Sequence, residues 1–134
     1  MPVNKLSVFR DERGDLVPIE FENLPFVPKR LFYVTNVPAG VERGGHAHYV
    51  TQQFLICIKG FIVVRLHDGR REREMVITPG KTVLIKPYIW DSQQFSSIDD
   101  VLLVLCNTNY NQADYITDFK EFLQITEKYV EYFF

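Results

Sequence analysis

Only three histidines, two cysteines and one tryptophan occur among the 134 residues of this chain, and each scarcity narrows what it can do. Cys57 and Cys106 each sit inside an apolar run, with no partner cysteine at metal-binding spacing and no base close by in sequence. They read as buried free thiols rather than as a nucleophile or a redox pair. A disulfide is allowed by number, but the opening Met1-Pro2-Val3-Asn4-Lys5 lacks the apolar stretch of an export signal, so retention in the cytoplasm with both thiols reduced is the expectation. An excess of charge is lacking too: 15 basic against 17 acidic side chains leave a net charge of -2. No overall field would recruit nucleic acid or an anionic membrane. No apolar run approaches the roughly 20 residues needed to span a bilayer.

What is present is a succession of short β-type runs separated by turn residues. Leu6 to Arg10 and Leu16 to Phe21 flank the turn Asp11-Glu12-Arg13-Gly14-Asp15. Arg30 to Asn36, Arg43 to His48, Gln53 to Ile58, Phe61 to Leu66, Arg71 to Ile77, Thr82 to Ile85, Ile89 to Phe95 and Val101 to Cys106 follow. Asp68-Gly69 is a strong hairpin signal. After Asn111 the period changes: Tyr115, Ile116, Phe119, Phe122 and Leu123 recur at helical spacing, which predicts one amphipathic helix near residues 112–127. The aromatic tail Tyr129, Tyr132, Phe133, Phe134 is expected to pack against something, such as a neighbouring subunit. About ten close-spaced strands in a chain of one-domain length, 1–134, predict an all-β sandwich or barrel with a ligand-sized mouth.

The residues that carry chemistry are concentrated in Arg43-Gly44-Gly45-His46-Ala47-His48. On a strand, His46 and His48 point to one face, within about 7 Å of each other. A shared metal ion needs further ligands. Gln52 and Gln53 stand where a carboxylate would complete the set, and His67, next to the Asp68-Gly69 turn, is expected at an exposed hairpin tip. The supply falls short, so no metal is expected. Acid–base work suits the pair better, because imidazole takes and returns protons near neutral pH. Proton abstraction next to a carbonyl, through an enediol, is the reaction type that fits. Arg43 is a candidate clamp for phosphate or a sugar oxygen. Tyr33 and Tyr49 are core or rim aromatics, or donors to a developing oxyanion. Trp90 and Tyr88 are core packing, or a platform for a base or sugar ring. Arg70-Arg71-Glu72-Arg73-Glu74 reads as a solvated hairpin arm.

Gly40, five residues, His46-Ala47-His48, four residues, Gln53, six residues, Gly60 resembles the first motif of the cupin superfamily, with Gln53 in place of the family's glutamate. The second motif survives only as Pro79-Gly80 and Pro87, without its histidine. Within the cupins, Asp11-x-Arg13-Gly14-x-Leu16, the Arg43 to His48 segment, Gln53-x-Leu55-x-Cys57-x-x-Gly60, Pro87-x-x-Trp90, and the late Tyr110 and Asp114-Tyr115-Ile116 resemble the sugar 3,4-ketoisomerases. The resemblance implies a jelly roll with one C-terminal helix, usually a homodimer, that needs no cofactor. Such enzymes move the ketone of dTDP-4-keto-6-deoxyglucose from C4 to C3, for a 3-amino-3,6-dideoxy sugar of surface glycans such as O-antigen. It further implies His48 as general base and His46 as partner or shuttle, with the exchange of those roles open. Arg43 and Tyr33 would hold sugar or pyrophosphate; Arg13, Gln53 and Trp90 would line the substrate end. The face on which C4 is reprotonated would depend on groups such as Arg13 or Asp91. The alternatives are a dTDP-sugar 3,5-epimerase, a metal-dependent cupin oxygenase and a non-catalytic sugar-binding cupin.

Overall fold

The computed structural model describes residues 3–128, so the aromatic tail from Tyr129 onward lies outside the described residues. Among the described residues, twelve strands and one α-helix follow in order as β1 (Val3–Lys5), β2 (Phe9–Asp11), β3 (Gly14–Leu16), β4 (Arg30–Val34), β5 (Glu42–His48), β6 (Gln53–Lys59), β7 (Ile62–His67), β8 (Glu72–Ile77), β9 (Lys81–Ile85), β10 (Trp90–Phe95), β11 (Val101–Cys106), β12 (Tyr115–Ile116) and α1 (Phe119–Lys128). They form two five-stranded antiparallel sheets, β1-β9-β6-β11-β4 and β12-β5-β10-β7-β8, and a separate β2-β3 hairpin. This is the expected all-β jelly roll with a single C-terminal helix.

Alternation explains the core. On β6, Leu55 and Cys57 point between the sheets and meet Val83 and Ile85 of β9, Leu102 and Val104 of β11, and Ile62, Val64 and Leu66 of β7. The opposite parity of β6, Phe54 and Ile56, covers the outside of the first sheet under Leu6, Ile19, Leu24 and Phe26. Both faces of β6 are therefore apolar, which is why it reads as a continuous hydrophobic run.

Two sequence expectations shift. The second strand stops at Leu16 instead of running to Phe21. Pro18 has no N–H to give a ladder, and Phe21–Asn23 instead forms a 3₁₀ turn. The helix begins at Phe119, not near 112. Asp118 caps it, its carboxylate accepting the Lys120 N–H at 2.9 Å. The preceding residues make a 3₁₀ turn, Gln112–Asp114, and then β12, which pairs Tyr115 with His48 and Ile116 with Ala47. Ile116 and Phe122 share one cluster with Ala47, so a strand and a helix deliver what the spacing assigned to a helix alone.

Gly44 and Gly45 act in an unexpected way. Across β5 and β10, His46 faces Asp91 and Gly44 faces Ser92, so the register slips by one residue at Gly45. Both glycines have positive φ, 86° and 79°. In a regular strand Arg43 and His46, three apart, would point to opposite faces. The extra residue of the bulge puts both on the inner face. An added Cβ at Gly44 would lie 3.1 Å from the Asp91 carbonyl oxygen and 3.2 Å from Gln93 Oε1. Gly44→Ala is therefore expected to cost about 1–3 kcal/mol in urea unfolding, from strain at a left-handed position. An unchanged unfolding midpoint would contradict this reading of the bulge.

Candidate active site

At one end of the sandwich the inward positions turn from apolar to polar. Gln53 opens β6, Asp91 and Gln93 begin β10, and Arg43 and His46 come from β5; all five line one cavity of about 80 Å³. Residues 49–52 form the bend between β5 and β6, so Gln53, not Gln52, is the amide beside the histidines. Arg43 is exposed at the rim of this cavity. Gln93 Nε2 donates to Asp91 Oδ1 at 2.5 Å, and Gln53 Nε2 approaches Asp91 Oδ2 at 3.4 Å.

The imidazoles of His46 and His48 lie 5.0 Å apart, edge to face. Tyr115 touches both, 4.3 Å from the His48 ring and 5.0 Å from that of His46. Asp114 completes the group. Asn111 starts its 3₁₀ turn by accepting the Ala113 N–H, which presents the Asp114 carboxylate to the end of β5. That carboxylate takes the Val50 N–H at 2.7 Å, the Thr51 hydroxyl, and His48 Nδ1 at 3.0 Å. Burial opposes its charge, but the Thr51, Val50 and His48 hydrogen bonds more than offset this, so Asp114 ionises below the usual carboxylate range. An ionised Asp114 accepts from Nδ1–H and fixes the His48 tautomer. His48 Nε2 is then an unprotonated lone pair, buried and without a hydrogen-bond partner among the described residues.

Both imidazoles are held neutral. Burial lowers His48, with Asp114 pulling the other way and the Arg30 charge adding to the decrease. Burial and the neighbouring His48 lower His46 to about 4. Arg30, at the start of β4, reaches Cys106 Sγ at 3.4 Å, and its guanidinium lies 5.5 Å from the Phe32 ring and 5.6 Å from the Tyr110 ring. Its Nε is buried with no acceptor, a donor facing no partner among the described residues.

Three expected residues stand elsewhere within this chain. Tyr33 is 67% exposed on the outer face of β4, because Arg30, Phe32 and Val34 take the inward parity. Trp90 packs on the outside of the second sheet against Phe119 and Phe122, at ring separations of 5.2 and 5.5 Å, away from the cavity that Asp91 lines. Arg13 is 84% exposed on the β2-β3 hairpin, bound to Asp11 at 2.6 Å. His67 is half-buried rather than exposed, edge-on to Phe119 at 5.2 Å, with Nδ1 accepting the Gly69 N–H. Sequence reasoning missed Asp114 as the histidine's partner and Arg30 as an inward cation. Alternation along β4 carried the signal for Arg30; Asp114 was absorbed into the apparent helical period. Among the described residues no group of three or more His, Cys, Asp or Glu side chains is arranged to hold a metal ion.

Fold and site together define a cupin-type jelly roll that carries a buried histidine hydrogen-bonded to a carboxylate. The chain belongs to the family described as FdtA, WxcM-like, C-terminal, which matches residues 1–127. It is 34% identical over 130 residues to a TDP-4-oxo-6-deoxy-alpha-D-glucose-3,4-oxoisomerase of Aneurinibacillus thermoaerophilus, covering 93% of this chain and 94% of that protein. It superposes with TM-score 0.90 and 30% identity, over 95% of this chain and 94% of the other, on a mutant of the 3,4-ketoisomerase QdtA of Thermoanaerobacterium thermosaccharolyticum in complex with TDP-4-keto-6-deoxyglucose. A 3,4-ketoisomerase of Helicobacter canadensis matches with TM-score 0.89 and 30% identity, over 94% of this chain and 96% of that one. Epimerases match at 15% identity, which shows the shared fold alone.

Two outcomes follow from the electrostatics. Asp114→Asn removes the charge that fixes the His48 tautomer and steadies its imidazolium, so kcat should drop by about 10²–10⁴ with KM little changed; a decrease under twofold would contradict the assignment. His46, with its folded-state pKa depressed to about 4, binds fewer protons in the fold than in the unfolded chain. Its contribution to stability is present above the unfolded histidine value of about 6.5 and is lost as pH falls through that value toward 4. Urea midpoints measured across this range should fall with acid, and His46→Gln should flatten the slope.

Proposed function

We propose that this protein is a dTDP-4-keto-6-deoxyglucose 3,4-ketoisomerase, acting by proton transfer through an enediol. One observation carries this reading: a buried, unpaired His48 Nε2 whose other nitrogen is bound to the Asp114 carboxylate. Such a nitrogen accepts a proton from carbon, and the carboxylate stabilises the imidazolium that results. The substrate and reaction are those of the relatives, at 34% identity in sequence and TM-score 0.90 in structure.

In this mechanism His48 Nε2 removes the proton at C3 and the C4 carbonyl becomes the second hydroxyl of an enediol. The same nitrogen then returns the proton to C4 while the ketone forms at C3. No net oxidant or reductant is consumed. The unpaired Arg30 Nε–H supplies a donor for the oxygen that gains charge. His46, neutral and in contact with Tyr115, orients the sugar from the cavity side. Gln53 contributes an amide and Arg43 a cation at the rim, where sugar hydroxyls or pyrophosphate enter.

The whole chain, 1–134, acts on this reading as one cupin unit, a cytoplasmic homodimer that takes part in making a 3-amino-3,6-dideoxy sugar. Dimerisation is supported by the β2-β3 hairpin, whose residues are all exposed, and by Phe9, Leu16, Leu31 and Tyr33 standing 54 to 67% open to solvent. A two-stranded hairpin with apolar side chains on show is only marginally stable without a surface to lie on. A second copy would supply that surface and would let Arg13 reach a partner's cavity.

NMR of the protein mixed with dTDP-4-keto-6-deoxyglucose in deuterium oxide tests the function. The expected product carries its ketone at C3, with hydrogen at C4 where His48 passes the proton on directly and deuterium there to the extent that it first exchanges with solvent. His48→Asn should keep the fold and lose turnover by at least about 10²-fold. Deuterium at C5 with the ketone still at C4 would establish an epimerase instead.

A further inference from the structure

Asp91 has no role in the His48 mechanism, yet it is the carboxyl that lines the inner cavity beside His46. It is 1% exposed. Its Oδ1 is engaged by the short bond from Gln93 Nε2, whereas Oδ2 has only the long 3.4 Å approach of Gln53 Nε2. Oδ2 is thus the oxygen with room to carry a proton. The cavity of about 80 Å³ in front of it holds two or three waters at about 30 Å³ each, or the hydroxyl-bearing edge of a sugar ring. The groups facing Asp91 are Arg43 and His46 from β5, Gln53 from β6, Gln93 from its own strand, and Cys106 from β11, which senses the Asp91 charge. Phe32, Val34, Leu55, Leu102 and Val104 close the remaining walls with apolar surface. An isolated carboxylate there is costly to keep ionised.

The isomerisation moves two protons, not one. The hydrogen on C3 must go to C4, and the hydroxyl hydrogen on O3 must be lost while O4 gains one. His48 accounts only for the first. We propose that Asp91 is the acid–base group of the oxygen pair: it donates its proton to O4 as the C4 carbonyl becomes enol, and takes the O3 proton back as the C3 ketone forms. The O–H bond of Asp91 breaks as the O4–H bond forms, and the reverse exchange at O3 restores it, so the enzyme ends as it began. O3 and O4 are vicinal, so Oδ2 alone, switching between two neighbouring hydrogen bonds, serves both ends. Burial holds the carboxyl neutral up to about pH 7, with the Gln93 and Gln53 hydrogen bonds resisting the rise. The donor is therefore loaded below about pH 7, half loaded near it and emptied as pH climbs further.

This inference rests on the ketoisomerase reading, and the experiment separates the two. Wild type and Asp91→Asn are assayed with dTDP-4-keto-6-deoxyglucose from pH 5.5 to 9. Wild-type kcat should fall on the alkaline side with a midpoint of about 7. The variant should lose at least about tenfold in kcat at pH 7, keep KM within about threefold, and lose the alkaline limb. A variant that keeps wild-type kcat, or one that slows but retains the alkaline limb, overturns the proposal. A wild type that turns over no keto sugar sinks the ketoisomerase reading instead. Should the variant not fold, infrared titration of the wild type decides. A neutral carboxyl band lost with a midpoint of about 7 and shifted by the bound nucleotide sugar supports Asp91 as donor, and no neutral carboxyl at pH 6 overturns it.

Discussion

The hydrogen bond between His48 Nδ1 and the Asp114 carboxylate, 3.0 Å long and almost wholly buried, is the contact on which the rest of the site depends. It decides which nitrogen of His48 carries the proton, and so leaves the other with a free lone pair. It also ties the segment after β11 to the end of β5, because the same carboxylate holds the Val50 N–H and the Thr51 hydroxyl. The contacts that hold the C-terminal segment on the barrel are thus the ones that orient the His48 ring. Helix α1 reinforces this by burying Phe122 against Ala47 and Ile116, one residue from His46 and His48 on the opposite face of the same strand.

The barrel has a division of labour along its length. Toward one end the sheets interdigitate through Ile62, Val64, Ile77, Val83 and Phe95, which supply burial. At the other, the same inward parity holds Gln53, Asp91, Gln93 and His46. Polar groups there are hydrogen-bonded to one another, as burial requires, except at the nitrogens that face the site. Orphaned donors and acceptors cost stability, and Arg30 Nε at the start of β4 and His48 Nε2 at the end of β5 mark where a ligand is to supply the missing partners. The Gly44-Gly45 bulge turns Arg43 to the same side, at the rim.

Much of the architecture was legible from residue pattern. β4 and β7 follow period-two alternation closely, and the spacing of His46 and His48 placed both rings on one face. The site was legible only in part, for physical reasons that differ by residue. Tyr33 is chemically attractive, but its parity on β4 is that of Leu31, and parity decides direction on a strand. Trp90 sits one residue from Asp91, and the same rule sends one outward and the other in. Asp114 was hidden because Tyr115 and Ile116 continue the helical spacing of Phe119 and Phe122 while lying in a strand. Hydrophobic spacing reports burial, not the element that achieves it. The bulge could not be read from the glycines, since a residue pair that tolerates positive φ also suits a close ligand approach.

The central claim is a state of one ring: His48 neutral, protonated at Nδ1 and bare at Nε2. Nitrogen-15 NMR of the histidine side chains, in protein at neutral pH, reads this directly. The account predicts a protonated Nδ1 in a strong hydrogen bond and an unprotonated Nε2 for His48. A proton found on Nε2, whether from the opposite tautomer or from a standing imidazolium, would contradict it.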